Sequence, residues 1–123
     1  MVATKAEPFL AKKCRPCEGG LARHTRSKAE AELKWIPGWQ LSPDGLRIQR
    51  HWVVKDFMAA IDFFDRVAHL AEKEGHHPDL HLNGYRHVTI ELSTHAIGGL
   101  SDNDFIMAAK INELPIELKI PAL

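Results

Sequence analysis

The sequence predicts an α+β fold in which a four-stranded antiparallel sheet carries three helices packed on one face. Strand-like runs of the chain occur as two pairs, and apolar and polar residues alternate along them with the period of a strand. Helical periodicity precedes, separates and follows these pairs, which gives the order α-β-β-α-β-β-α. Because two hairpins separated by a helix favour one antiparallel layer covered from one side, we expect the other face of the sheet to stay partly open.

The first predicted helix covers residues 28–35. Ser27 and Glu30 fit the capping box, in which the serine hydroxyl and the glutamate side chain bond to each other's backbone amides at a helix start. Pro37 and Gly38 follow the helix, and a proline both lacks the amide hydrogen and restricts the residue before it. We therefore expect the helix to end just before them.

The first predicted hairpin joins a short strand, residues 39–41, to a longer strand, residues 46–54. The SPDG sequence between them is typical of a turn. Period-two spacing places the apolar residues of the longer strand on one face, and Arg50 interrupts their alternation. These apolar residues are Leu46, Ile48, Trp52 and Val54.

An amphipathic helix is predicted over residues 57–73. Asp56 is a good N-cap because its carboxylate accepts hydrogen bonds from the first free amides, and Gly75 suits the position just past the end. Met58 and Phe63 fall outside the main apolar stripe, so we expect a second apolar surface there for another subunit. The predicted inner stripe contains Phe57, Ala60, Ile61, Phe64, Val67, Ala68 and Ala71.

The second strand pair is predicted over residues 80–85 and 87–94, and a final helix follows it. Apolar residues alternate with polar ones in the second of these strands, which is typical of a half-buried antiparallel strand. Ser101 is expected to cap the final helix together with Asp104, three residues later, and Pro115 is expected to end it.

The charge balance of the chain argues against one broad class of function. Lys and Arg together number 16, and Asp and Glu also number 16, so no basic excess indicates direct nucleic-acid binding as the main task. No run approaches the roughly 18 apolar residues that span a bilayer, and the N-terminus lacks the apolar segment of a secretion signal. We expect no membrane association and a cytoplasmic location, with one domain at residues 27–123 behind a flexible arm at residues 1–26.

Two cysteines, Cys14 and Cys17, form a CRPC motif in the predicted arm. This spacing offers half of a zinc site or a dithiol pair, but no second CxxC pair completes a zinc site. The motif also lies in a Lys- and Gly-rich segment, whereas a thioredoxin-like motif lies where a strand leads into a helix. We expect two reduced thiols, and the alternatives are pairing with histidines or a local disulfide.

Five of the eight histidines lie between residues 74 and 95, which indicates proton-transfer chemistry or a metal site. A zinc site needs convergent ligands, and the HExxH pattern is absent, so we expect no metal. His76 and His77 follow a helix C-terminus, whose partial negative charge favours imidazolium. Glu72 is placed to orient His76 unless it is only a solvated helix charge, and His95 ends a strand before a Gly-rich bend. The histidines expected at the surface are His24, His51 and His69.

A spaced set of residues surrounds these histidines, and shorter matching pieces flank it. The set reads Glu72-x-x-x-His76-His77-Pro78, then Tyr85, His95 and Asp104, and the flanking pieces are Pro37-Gly38-Trp39, Lys55-Asp56-Phe57 and Leu92-Ser93-Thr94-His95. Together they resemble the signature of the pterin-4a-carbinolamine dehydratase family over residues 27–114. One extra residue between Pro78 and Tyr85, relative to the animal-type pattern, leaves the correspondence of Tyr85 and His81 open.

The resemblance implies an enzyme that dehydrates 4a-hydroxytetrahydropterin to quinonoid dihydropterin and water, and so recycles the pterin cofactor of aromatic amino acid hydroxylases. It assigns proton transfer to His76 and His95, and it makes His77 the residue that holds or polarises the substrate. A helix cap is the alternative role for Asp104, and a place in the core is the alternative for Trp39. The residues expected to bind the pterin are Trp39, Glu72 and Asp104.

The resemblance further implies no metal and no redox cofactor, a small-molecule pterin as partner, and a homodimer or homotetramer. A competing hypothesis is a non-catalytic pterin-binding module, or a dimerisation cofactor for a transcription factor that uses the surface of the long helix. The intact histidine set favours the enzyme. Pterin chemistry in a molybdopterin-linked pathway is a third alternative.

Overall fold

The computed structural model describes residues 7–16 and 21–120. The order of its elements confirms the predicted α-β-β-α-β-β-α arrangement, with one additional four-residue helix near the N-terminus. Within the described ranges, none of the helices combines the length and the apolar character needed to cross a membrane. The helices are α1 (Glu7–Leu10), α2 (Arg26–Glu32), α3 (Phe57–Glu74) and α4 (Asp102–Asn112), and the strands are β1 (Gln40–Leu41), β2 (Ile48–Val53), β3 (Asp79–Asn83) and β4 (His87–Leu92).

The four strands form one antiparallel sheet in the spatial order β1-β2-β4-β3. Strands β2 and β4 are central and pair from Ile48 opposite Leu92 to Val53 opposite His87. Strand β3 follows α3 in the chain and pairs with the outer side of β4. This register places the end of β4 beside the start of β2.

The core lies between one face of the sheet and the helices. Phe63 of α3 packs on Trp52 with ring centroids 5.1 Å apart, and Phe105 of α4 is fully buried. The opposite face carries polar residues such as His51, which lies across from Thr89, so the predicted α+β layer with one open face is confirmed. The buried residues of β2 and β4 alternate as predicted: Ile48, Trp52, Val88, Ile90 and Leu92.

Helix α2 begins two residues earlier than predicted. Its N-cap is Thr25, whose hydroxyl accepts the backbone amide three residues on, so the predicted cap at Ser27 is wrong. The reason is a long-range contact: the amide of His24 donates to the carbonyl of Leu100 at 2.7 Å, and the helix starts where this pairing ends. After α2 the chain tightens into a 3-10 turn, Leu33–Trp35.

Helix α3 is rotated relative to the predicted stripe: Ala60, Val67 and Ala71 are buried as predicted, but other positions of the stripe are not. Phe63 is 1% exposed, whereas Phe57, predicted to be inside, is 50% exposed. Ile61 and Ala68, also predicted inside, are exposed, so the placement of these four residues is wrong. Apolar residues occupy more than one arc of this helix, and their spacing alone did not fix which arc meets the sheet. Of the two residues predicted to form a second apolar surface, Met58 is exposed and Phe63 is buried, and the exposed apolar residues beside Met58 are Phe57 and Ile61.

The ends of α3 and α4 follow the local signals in the sequence. Asp56 caps α3 by accepting the amide of Ala59 at 2.8 Å, and Gly75 ends the helix in the left-handed conformation, with φ 69°. Ser101 and Asp104 form the predicted capping box of α4. These ends position the histidine segment.

The first described segment of the predicted N-terminal arm, residues 7–16, packs on α3 and α4. The ring of Phe9 lies 5.9 Å from that of Phe105, and Cys14 is a buried free thiol. Cys17 lies outside the described residues. The pairing of the two thiols and the boundary between arm and domain therefore stay predictions.

Candidate active site

A buried histidine–carboxylate pair joins the end of α3 to the start of α4. The left-handed turn at Gly75 directs His76 inward, where it is 4% exposed. Its Nε2 lies 2.7 Å from Oδ1 of Asp104, which is fully buried. Because an ionised carboxylate only accepts hydrogen bonds, Nε2 of His76 is the donor in this contact and carries a proton.

The carboxylate of Asp104 is held by several donors at once. Its Oδ2 accepts the backbone amide of Ser101 at 3.0 Å and the hydroxyl of Thr94 at 2.9 Å. The hydroxyls of Thr94 and Ser101 lie 2.8 Å apart. The N-terminus of α4 adds a favourable dipole for a negative charge. Asp104 therefore has the helix-cap role and also contacts His76, and its contact with a pterin stays a prediction.

His95 lies directly after Thr94 and is exposed at the start of a 3-10 turn, His95–Ile97. A cavity of about 230 Å³ opens beside it, lined by the residues that follow β4 and by Leu46 and Arg47 of the turn before β2. Thr94 lines the same cavity. This threonine therefore connects the cavity at His95 with the buried contact between Asp104 and His76.

His77 faces the opposite environment from its neighbour His76. Its side chain is 63% exposed, and its Nε2 lies 2.5 Å from Oε2 of Glu72, which is 78% exposed. The hypothesis that Glu72 orients His76 does not match this contact, whereas the exposure of Glu72 fits its alternative role as a solvated helix charge. The left-handed turn at Gly75 moves His76 into the core, which leaves His77 as the ring that the helix carboxylate reaches.

Trp39 is packed in the core. Its Nε1 donates to Oδ1 of Asn112 at 2.8 Å, and its ring makes an edge contact with that of Trp52, with centroids 6.0 Å apart. Arg50, which interrupts the apolar face of β2, lies over the ring of Trp52 and donates to the same oxygen of Asn112 at 2.6 Å. Burial lowers the pKa of Arg50. This placement fits the core alternative for Trp39, and its contact with a pterin stays a prediction.

The remaining histidines lie outside this arrangement. His51 and His87 share a hydrogen bond of 3.2 Å on the open face of the sheet, and His69 bonds to a carbonyl on the exposed side of α3. His24, predicted at the surface, is buried because its ring stacks on Phe105 with centroids 5.3 Å apart.

Among the described residues, one group of three side chains has the spacing of potential metal ligands: His24, Glu32 and Asp102. Oδ1 of Asp102 lies 2.9 Å from Nε2 of the ring, and Oε2 of Glu32 lies 3.6 Å from Nδ1. The two carboxylates thus approach opposite nitrogens of the ring, while one ligand atom from each of the three side chains lies within 4.8 Å of the others. Burial raises the pKa of Glu32. The group does not include any of the predicted site residues.

The residue that sequence reasoning missed is Thr94. It follows the alternating strand at a buried position and carries a hydroxyl where an apolar residue is expected. A buried hydroxyl needs a partner, and this was the available signal. The partner, Asp104, was already singled out as a candidate.

Comparisons with known proteins show which family the chain belongs to. The family model described as pterin 4 alpha carbinolamine dehydratase matches residues 22–114. A relative from Arabidopsis thaliana, pterin-4-alpha-carbinolamine dehydratase 2, mitochondrial, is 54% identical over 109 residues, which cover 86% of this chain and 58% of the relative. The chain thus spans little more than half the length of that plant protein.

Two bacterial proteins are matched over most of their own length. A relative from Azoarcus sp. (strain BH72), provisionally named for the same activity, is 46% identical over 84% of this chain and 87% of its own. The crystal structure of a transcriptional coactivator/pterin dehydratase from Brucella melitensis is 36% identical, with a TM-score of 0.69 over 74% of this chain and 96% of that one. The family match and these relatives lead to one conclusion: the chain belongs to the pterin 4-alpha-carbinolamine dehydratase family, whose named activity is that of a hydro-lyase.

Proposed function

We propose that this hydro-lyase removes water from a 4a-hydroxytetrahydropterin by histidine acid–base catalysis. The observation that supports the proposal is the connection of His76, through Asp104 and Thr94, to His95 at the cavity. The hydrogen-bonded network that holds His76 ends at Thr94, and His95 follows Thr94 in the chain at the cavity, so two imidazoles are available for a reaction that moves two protons. The family match supports the substrate class.

The reaction needs one acid and one base and no change of oxidation state. The C4a–O bond breaks as the leaving hydroxyl takes a proton, and water departs. The proton on N5 goes to the base, and the electron pair of the N5–H bond forms the C4a–N5 double bond. An imidazole with an ordinary pKa of about 6.5 can give or take a proton at neutral pH, and a positioned acid or base contributes roughly 10² to 10⁴ in rate.

We assign the proton transfers to His76 and His95. Asp104 fixes the orientation of His76, and the turn after β4 presents His95 at the cavity. His77, with its ring oriented by Glu72, contacts the bound pterin. The product, a quinonoid dihydropterin, is the form that a reductase must restore before an aromatic amino acid hydroxylase can use it again.

The test follows the loss of enzymatically generated 4a-hydroxytetrahydropterin by stopped-flow absorbance. The wild type is expected to accelerate the loss, and His95→Ala and His76→Gln each to reduce the enzymatic rate by about 10². Glutamine is chosen because its amide still donates to Asp104. His69→Ala, which changes an exposed histidine on α3, is the matched control and should keep the full rate.

A wild type that binds a pterin without accelerating its dehydration would overturn the proposal in favour of a pterin-binding module. Equal rates for the wild type and both histidine variants would keep the activity and reject the two imidazoles as its acid and base.

A second candidate function is protein association through α3. Phe57, Met58 and Ile61 form an apolar surface on a helix whose inner face is already packed, and the Brucella melitensis relative is described as a transcriptional coactivator as well as a dehydratase. Such a surface suits a homodimer or homotetramer or a heterologous partner. Light scattering on the wild type and on Ile61→Lys tests this, because loss of a self-associated form in the variant is expected only if α3 is the interface.

A further inference from the structure

We propose that the N-terminal arm, residues 7–16, is a positioning element of the active site. Backbone groups of Cys14 and Arg15 bind Glu74 and Asn103, two buried side chains that lie next to the buried histidine–carboxylate pair in the sequence. Only Gly75 separates Glu74 from His76, and Asn103 directly precedes Asp104. The effect on catalysis rests on the proposed function, whereas the effect on the ring of His76 does not.

The first contact fixes the end of α3. Glu74 is the last residue of the helix, and its side chain is 3% exposed. Its Oε1 accepts the backbone amide of Cys14 at 2.9 Å, and its Oε2 accepts Nζ of Lys110 of α4 at 2.9 Å. Burial raises the pKa of Glu74, but the bond from Cys14 and the pairing with Lys110 outweigh it, so the net pKa is lowered. One carboxylate thus connects the arm, α3 and α4.

The second contact fixes the start of α4. Oδ1 of Asn103 accepts the amide of Arg15 at 2.9 Å, and Nδ2 of Asn103 donates to the carbonyl of Arg15 at 2.6 Å. The side-chain amide of Asn103 thus bonds to both the backbone N–H and the backbone C=O of Arg15, as a neighbouring β-strand would. The thiol of Cys14 also donates to the carbonyl of Asn103 at 3.6 Å.

Packing holds the arm in this place. Two side chains of the arm are buried: Phe9 of α1, which packs against Phe105, and Cys14. Burial, with the nearby charge of Glu74, raises the pKa of Cys14 to about 12. The cysteine is therefore a neutral thiol near pH 7, which packs and donates a hydrogen bond and is not a nucleophile.

The arm also forms one side of a cavity of about 540 Å³ at the end of α3. Lys13, Cys14 and Arg15 line one part of it, and Glu72 and Glu74 line another. Glu72 is the residue that bonds to His77. The arm therefore lies beside Glu74, which is close to His76 in the sequence, and beside Glu72, which bonds to His77.

The geometry requires such a support because His76 and Asp104 come from different elements. Their contact at 2.7 Å persists only while the end of α3 and the start of α4 keep their separation. The arm spans this junction by contacts on both sides of it. A residue that acts on the pair from this distance is a positioning residue, and displacement of a catalytic ring by about 1 Å can lower the rate up to 10²-fold.

The test uses the full chain with Asn103→Ala, which removes the paired bonds to Arg15 and leaves Asp104 in place. We expect kcat to fall by about tenfold to a hundredfold, with a shifted pH profile. In nitrogen-15 histidine NMR spectra, which do not depend on activity, the Nε2 signal of His76 should move. Phe9→Ala, which releases the arm from α4, should give the same change in that signal.

Lys12→Ala is the matched control, because this exposed arm residue does not bond to Glu74 or Asn103 in the described contacts. Thermal unfolding of each variant separates a displaced ring from a lost fold. Wild-type signals of His76 in both Asn103→Ala and Phe9→Ala would overturn the proposal. A wild type without dehydratase activity would instead reject the proposed function, and the NMR comparison would still decide whether the arm positions His76.

Discussion

Two consecutive histidines make nearly the same contact in opposite environments. His76 lies 2.7 Å from Asp104 in the core, and His77 lies 2.5 Å from Glu72 at the surface. Water can replace either partner of the surface pair, His77 and Glu72, but it cannot reach the buried pair, His76 and Asp104. A short distance between a histidine and a carboxylate therefore says little about its importance until the burial of both groups is known.

The largest expected effect comes from breaking the buried pair. Asp104→Ala removes the acceptor shared by His76, Thr94 and the amide of Ser101, and it also removes the capping box of α4. We expect the free energy of unfolding to fall by about 3–5 kcal/mol, measured by urea denaturation. Asp104→Asn keeps the volume and one acceptor, so it should lose less. A loss below about 1 kcal/mol in the alanine variant would contradict the importance given to burial.

A smaller effect is expected from removing one donor of the buried network. Thr94→Val keeps the shape of the side chain and deletes the hydroxyl that donates to Asp104. Stability should fall by about 1–2 kcal/mol, because a buried acceptor loses a partner. Thr89→Val, on the open face of the sheet, is the control and should change little. Equal losses in the two variants would show that the network adds nothing beyond the usual cost of the substitution.

The pH dependence of stability extends the comparison to two glutamates of α3. The pKa of buried Glu74 is lowered in the folded state, so the unfolded chain binds more protons as the pH falls. Its stabilising contribution is present above the unfolded pKa, about 4.3, and is lost as the pH falls through the lower folded value. Denaturation between pH 7 and pH 3 should show this loss, and Glu74→Gln should flatten it. A similar flattening in Glu72→Gln, at the exposed position, would show that burial does not distinguish the two glutamates in the pH dependence of stability.

The smallest expected effect belongs to the surface pair. Glu72→Ala should lower the free energy of unfolding by no more than about 1 kcal/mol, and added salt should reduce the difference further. Denaturation at low and high salt measures both. A salt-independent loss as large as that of Asp104→Ala would show that the exposed pair is more strongly coupled than its burial indicates.

The parts of the fold that the sequence predicted correctly depend on neighbours in the chain. The cap at Asp56, the stop at Gly75 and the capping box of Ser101 and Asp104 are set within one helical turn, so a short motif contains all the information they need. Strand alternation likewise identified the buried face of β2 and β4. The predicted class and order of elements followed from these local signals.

The errors concern contacts between distant parts of the chain. Rotation of α3, which buries Phe63 and exposes Phe57, depends on which arc the sheet accepts. The partner of Glu72 depends on the backbone turn at Gly75, and the burial of His24 depends on α4. Thr94 was missed as a site residue for the same reason, since its hydroxyl has a role only beside Asp104. Spacing along one chain contains none of this information.

The docking of the arm also has a consequence for how the protein is assembled. Cys14 bonds to a residue 60 positions later in the chain, and Arg15 bonds to one 88 positions later. During synthesis the arm emerges long before one of its two binding residues, Asn103, which lies in the last helix of the described fold. Contacts of such long sequence separation form slowly, because the intervening loop must close before they stabilise anything. The junction around His76 and Asp104 is therefore completed only when the arm meets the start of α4, so an unfinished chain contains the histidines but lacks the geometry of the proposed active site.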